Sequence, residues 1–77
     1  MEQREFLYIP CRRAGNLASV MASSAETAYN AVSCWFLPNT QVIVIDRETR
    51  EAFIFTRELD RDGNLVVVRE ILHGKRG

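Results

Sequence analysis

The sequence contains few of the residues that stabilise very small domains through disulfide bonds or metal sites. It contains two cysteines and one histidine in 77 residues. Cys11 and Cys34 allow at most one disulfide, and they lack the close Cys and His spacing of a zinc site. A domain of this length buries only ~60–65% of its unfolded surface. Oligomerisation is the support that remains, and we expect no metal and no cofactor.

Long hydrophobic runs are absent as well. No run approaches the ~18–20 apolar residues of a membrane-spanning helix. Residues 1–5 are charged, and the apolar stretch that follows them is too short for the core of a signal peptide. We therefore expect a cytoplasmic protein with reduced cysteines and no membrane contact.

An excess of either charge is also missing, because ten basic residues balance ten acidic ones. The whole chain therefore exerts no net attraction on nucleic acid or on an anionic membrane. Nine of the ten basic residues are Arg, whose planar guanidinium suits contacts with carboxylates and phosphates. A GC-rich genome would produce the same bias, so both interpretations stay open.

What the sequence does contain is three short apolar runs, at residues 42–45, 52–55 and 65–68. Successive side chains of a strand point to opposite faces, so an uninterrupted apolar run needs cover on both sides. One helix covers one side. We expect the second face to be buried by another protein or by a second copy, because large exposed apolar patches mark interaction sites and twofold dimers are the commonest oligomers. The alternative is that residues 1–22 fold over this face.

The single helix is predicted from a capping box, Ser23-Ser24-Ala25-Glu26, with Ser23 as the N-cap. Apolar residues then recur at helical spacing and form one stripe. These are Ala25, Ala28, Tyr29, Val32, Trp35 and Phe36. The pattern predicts an amphipathic helix of three to four turns that ends before Pro38, with Trp35 and Phe36 packed against the end of the sheet.

Strands are predicted on both sides of this helix. The predicted strands are residues 6–11, 17–22, 41–46, 51–58 and 65–72. Pro10 ends the first strand or places it at an edge. Residues 17–22 are read as a strand, although a long helix over residues 17–36 is the competing interpretation. The last three strands form an antiparallel meander.

The result is one α+β domain over residues 1–77, with a flexible tail at residues 73–77. Its fold is one amphipathic helix on a four- to five-stranded antiparallel sheet, in the order ββαβββ or βαβββ.

The two faces of the sheet are assigned by side-chain size. Val42 and Val44 are expected on the helix side together with Ala52 and Ile54, because small residues allow close approach of the helix. The bulkier set then forms the free face and the dimer or partner interface. It consists of Ile43, Ile45, Phe53 and Phe55.

Alternating aromatic residues provide a second interpretation. Phe53, Phe55 and Tyr8 on neighbouring strands resemble the platforms on which single-stranded RNA or DNA stacks, with nearby arginines for the phosphates. The glycine and basic residues of the RNA-recognition signature are absent, so core packing explains these aromatics better. Single-strand nucleic-acid binding is therefore the alternative function.

Four arginines are candidate contacts to an acidic partner or a phosphate: Arg12, Arg13, Arg47 and Arg50. The first two flank a glycine turn. Solvent-exposed arginines in loops are common, and most contribute little.

No catalytic motif is found. Residues 60–64 resemble a calcium loop only faintly, because the third acidic position before Gly63 and a Glu at position twelve are missing, so a hairpin turn is the better interpretation. Cys34 is expected to be a small buried residue, and Cys11 has no base on a rigid element to pair with. We expect a non-enzymatic, homodimeric inhibitor, adaptor or accessory factor, a size class that includes short phage and plasmid proteins, with itself and an unidentified protein as partners.

Overall fold

Strands precede and follow a single α-helix, as predicted. The computed structural model describes residues 2–11 and 17–73. Its elements are β1 (Arg4–Pro10), β2 (Ala18–Ala22), α1 (Ala25–Val32), β3 (Val42–Asp46), β4 (Ala52–Leu59) and β5 (Leu65–His73). The α+β class and the order ββαβββ are confirmed, and β2 confirms the strand interpretation for residues 17–22.

The strands form one five-stranded sheet in the order β2-β1-β3-β4-β5, and every neighbouring pair is antiparallel. β1 inserts between β2 and β3, and it ends at Pro10. The two strands before α1 therefore widen the sheet sideways. The alternative that residues 1–22 fold over the second face does not hold for residues 2–11 and 17–22, which are the described part of that segment.

α1 begins one residue later than predicted. Ser24, in an extended conformation, is the N-cap, and its Oγ accepts a hydrogen bond of 3.2 Å from the main-chain N–H of Thr27. The prediction of Ser23 as the N-cap is wrong. Glu26 lies three residues after Ser23, and Thr27 lies three residues after Ser24. The Thr27 hydroxyl also lies 2.9 Å from Ser24 Oγ, so this second pair forms the cap.

The helix is also shorter than its apolar stripe. It ends at Val32 and continues as a 3₁₀ turn over Ser33–Trp35. Because a 3₁₀ turn has 3.0 residues per turn instead of 3.6, the residues after Val32 rotate away from the buried stripe. Cys34 is therefore exposed, which corrects the prediction that it is buried. Trp35 is 68% exposed and Phe36 is partly buried, but the rings of both lie against Tyr8 of β1, at 6.2 and 6.3 Å between centroids.

The core lies between α1 and one face of the sheet. Its buried apolar side chains are Phe6, Tyr8, Ala22, Ala28, Tyr29, Val32, Val42, Val44 and Phe55. Tyr29 and Val32 of α1 enter this layer at successive turns, and Phe53 packs at its margin.

The expected assignment of β4 to the two faces is wrong. Val42 pairs with Phe55 and Val44 with Phe53, so both phenylalanines lie on the helix side. The reason is the length of the β3–β4 turn: Asp46 N–H donates to Glu51 O across a four-residue connection, which pairs even-numbered residues of β3 with odd-numbered residues of β4. Directly opposite residues share a face, and this register fixes the faces more firmly than side-chain size does.

No helix among the described residues has the length and apolar character needed to cross a membrane.

Candidate functional site: the open face of the sheet

The sheet surface opposite α1 is here called the open face. Cross-strand pairing places Ile9, Ile43 and Ile54 in one row across three strands, and Leu7 and Ile45 in the next row. The apolar side chains of the open face are Leu7, Ile9, Met21, Ile43, Ile45, Ala52, Ile54, Val66 and Val68.

Nothing in the described part of the chain covers the open face. α1 packs against β1, β2 and β3 from the other side. The central isoleucines are partly buried, and at the margins Met21 is 55% and Val66 is 40% exposed. A contiguous apolar surface of this kind on a small domain is typical of an interaction site.

Charged side chains border the open face. At one end Arg47 forms an ion pair with Glu5 (Nη1 to Oε1, 2.8 Å) across β1 and β3. On the β5 side, Glu58 and Glu70 line a polar groove of about 410 Å³, together with Thr56 and Val68. Among the described residues no Arg or Lys lies within ion-pair distance of Glu58 or Glu70. The border of the open face therefore carries two unneutralised carboxylates.

A second polar cluster lies on the helix side of the sheet, where Arg4 donates to Asp46 Oδ2 at 2.8 Å. The other oxygen of Asp46 accepts from the main-chain N–H of Glu48 and Thr49 and so fixes the β3–β4 turn. Burial opposes ionisation of Asp46, but the hydrogen bonds from Arg4, Thr49 and Glu48 and the charge of Arg4 outweigh it and lower the pKa of this carboxyl. The Asp46 carboxylate thus pairs with Arg4 of β1 and holds the β3–β4 turn, so this cluster has a structural role.

The structure separates the predicted interface residues into two groups. Ile43 and Ile45 lie on the open face. Phe55 is fully buried beneath α1, and Phe53 lies beside it, so neither belongs to the open face. The prediction that all four share one surface is wrong for these two phenylalanines.

The predicted arginine contacts are not brought together either. Arg47 is engaged by Glu5, and Arg50 is exposed in the β3–β4 turn with a positive φ of 64°. Arg12 and Arg13 lie outside the described residues.

The predicted stacking platform is not exposed. Phe55 is 0% and Tyr8 is 8% exposed, because both lie in the layer beneath α1. A base cannot stack on rings that already contact the helix, so this platform as predicted is wrong.

Sequence reasoning missed several members of the open face, above all Leu7, Ile9 and Ile54. The alternation of Phe6 and Tyr8 with Leu7 and Ile9 would have identified two apolar faces on β1 as well. Ile54 was missed because β4 was assigned to the two faces by side-chain size, whereas its pairing with Ile43 places it on the open face.

Little else in the described residues suggests chemistry. No group of three or more His, Cys, Asp or Glu side chains there is arranged to hold a metal ion. Cys11 and Cys34 are both exposed free thiols.

Comparison with known proteins identifies no relative: no family model matches the chain, and no curated protein or solved structure shows significant similarity to it.

Proposed function

We propose that this protein is a non-catalytic protein–protein interaction module, a homodimeric inhibitor, adaptor or accessory factor, and that it binds its partner protein through the open face. The observation that carries the proposal is the row of Ile9, Ile43 and Ile54 across three strands with no covering element among the described residues. Burying such a row on a partner removes apolar surface from water, which is the main driving force of association.

The border charges indicate the chemistry of the partner. Glu58 and Glu70 have no neutralising cation in the described structure. Packing the open face on its own copy would bring two more carboxylates to this border, whereas a segment with Lys or Arg beside apolar residues would complement it. The open face therefore suits another protein better than a second copy of itself.

The test compares a lysine substitution on the open face with a lysine substitution on the exposed side of α1. Ile43→Lys places a charge at the centre of the open face, and Ala31→Lys places the same charge on the exposed back of α1. Both variants are checked for an unchanged fold by circular dichroism and chemical denaturation. We expect a protein captured by the wild-type chain, then purified, to lose at least about tenfold in affinity for Ile43→Lys and to bind Ala31→Lys normally.

A second pair of changes tests the border. Glu58→Gln with Glu70→Gln is expected to weaken the same complex and to reduce its dependence on salt. A partner that binds Ile43→Lys as tightly as wild type would show that the open face is not the binding surface.

A further inference from the structure

β5 differs from the other strands because it is exposed along its whole described length. Every residue from Leu65 to Leu72 is exposed, and the large apolar ones range from 37% for Val68 to 66% for Ile71. α1 lies over the other half of the sheet, so the helix side of β5 is uncovered too. β5 is also the last strand of the sheet, which leaves its outer edge without a partner among the described residues.

The hairpin before β5 shows which main-chain groups point to that edge. Asp60 N–H donates to Asn64 O at 2.9 Å, so these two residues form a hydrogen-bonded pair. Hydrogen-bonded and non-hydrogen-bonded pairs alternate along an antiparallel ladder, and Asn64, Val66, Val68 and Glu70 therefore bond inward to β4. The N–H and C=O groups of the odd-numbered residues, Val67 among them, point outward.

The first half of β5 lacks the devices that normally protect an edge strand, and the charged residues of this strand, Arg69 and Glu70, lie in its second half. The segment from Leu65 to Leu72 contains no Pro and no Lys, and the irregularity in the β4–β5 ladder lies at its far end, opposite Ala52 and Phe53. The opposite edge, β2, is only five residues long, against nine for β5.

We propose that the homodimer forms by antiparallel pairing of β5 with β5 of a second copy, which joins the two sheets into one. This rests on the proposed function only in taking the protein to be a homodimer. The pairing follows a twofold axis normal to the sheet, so even-numbered residues face even-numbered ones and both helices lie on the same side.

The sequence of β5 favours a register centred on Val67. A dimer axis through Val67 pairs Val66 with Val68 of the second copy and Val67 with itself, so three β-branched pairs adjoin at the centre. The same register places Arg69 opposite Leu65 and Glu70 opposite Asn64. Axes through Arg69 or Glu70 would instead set identical charges against each other, which is unfavourable.

This register also pairs the main-chain N–H and C=O groups of β5 that point away from β4. Val67 exchanges two main-chain hydrogen bonds with its own copy, and Leu65 exchanges two with Arg69 in each direction. The open faces of the two copies remain uncovered and become one continuous surface. A contact of β5 with β2 of a second copy would not close and would give filaments.

The substitution Val67→Pro tests pairing at the outer edge of β5 separately from the stability of the fold. Val67→Pro removes an outward N–H and leaves the hydrogen bonds between β4 and β5 intact. Val67→Thr is the matched control, because it keeps the N–H and the β-branched shape. By light scattering and sedimentation across a dilution series, we expect wild type and Val67→Thr to be dimeric and Val67→Pro to dissociate at least about tenfold more readily.

A cross-link tests the register without relying on proline. In a background with Cys11→Ser and Cys34→Ser, chains carrying Val66→Cys are mixed with chains carrying Val68→Cys. We expect the mixed disulfide dimer to form faster than either like pair, because positions 66 and 68 lie directly opposite in the proposed register.

Three outcomes would overturn the inference: a monomeric wild type, a Val67→Pro dimer as tight as wild type in a folded chain, or no preference for the mixed disulfide. If Ile43→Lys dissociates the dimer and Val67→Pro does not, the open face is the self-association surface. A monomeric wild type would leave partner binding by the open face to be decided by Ile43→Lys, so the two proposals fail separately.

Discussion

The ring of Tyr29 on α1 stacks on the ring of Phe55 on β4, with centroids 4.9 Å apart and planes inclined by 10°. Both residues are almost completely buried, and their contact joins the helix to the centre of the sheet. Aromatic pairs in this offset-stacked geometry add to the stabilisation that burial already provides.

Phe55→Ala is therefore expected to lower the free energy of unfolding by ~3–5 kcal/mol, because it leaves a cavity under α1. Ile54→Ala, at the next residue but on the open face, is expected to cost less than half as much. Urea denaturation at low protein concentration measures both values under two-state conditions. The reverse order would mean that the helix covers the other face of β4.

The N-terminus of α1 is expected to depend on one serine and not on its neighbour. Ser24→Ala removes the acceptor for Thr27 N–H and should cost ~1 kcal/mol. Ser23→Ala is the matched control and should change the denaturation midpoint little. A larger effect at Ser23 would place the cap where the capping-box pattern alone predicts it.

Local sequence patterns predicted the helix and the strands well. They did not predict on which face of the sheet the side chains of β4 lie, because that depends on strand register. Alternation identified the strands, and the apolar stripe identified α1, because both depend on neighbours along the chain. The side of the sheet on which Phe53 and Phe55 lie depends instead on how many residues connect β3 to β4. The four-residue connection predicted over residues 47–50 already pairs Val42 with Phe55, whereas assignment by side-chain size places Phe55 on the open face.

The same argument explains which part of the candidate site was predictable. Two apolar faces follow from residues 42–45 alone, and Ile43 and Ile45 do lie on the open face. The exposure of β5 could not be predicted, since it depends on α1 lying over β1, β2 and β3. Likewise the 3₁₀ turn after Val32, which exposes Trp35, has no clear signature in the sequence.

Acid is expected to destabilise the fold through Asp46. Its pKa is lowered in the folded chain, despite burial, by its hydrogen bonds and by Arg4. The unfolded chain therefore binds a proton first as the pH falls below ~4, and the stabilisation is lost as the pH falls further, through the folded pKa.

Asp46→Asn retains an acceptor for the β3–β4 turn and removes the titrating group. We expect its unfolding free energy to be lower than that of wild type at neutral pH and to change less between pH ~5 and ~2. Urea denaturation across this range, on both proteins, measures the difference. Parallel pH profiles for the two proteins would show that Asp46 does not contribute to acid sensitivity.

Alkali is expected to destabilise the fold through Tyr29. Burial raises the pKa of the Tyr29 hydroxyl, and the nearby Arg57 guanidinium only partly offsets this. Above pH ~10 the unfolded chain loses this proton before the folded chain does, so the unfolding free energy falls as the pH rises towards the folded pKa.

Tyr29→Phe keeps the ring that stacks on Phe55 and removes the ionisable hydroxyl. Its unfolding free energy should therefore fall less steeply above pH ~10 than that of wild type, whose additional slope can reach ~1.4 kcal/mol per pH unit. Denaturation midpoints measured in alkaline buffers give the two slopes, and a spectroscopic titration of tyrosinate in the folded protein gives the pKa itself. Equal slopes, or a hydroxyl that ionises at the ordinary tyrosine pKa, would mean that solvent reaches Tyr29 and that the helix does not seal this face of the sheet.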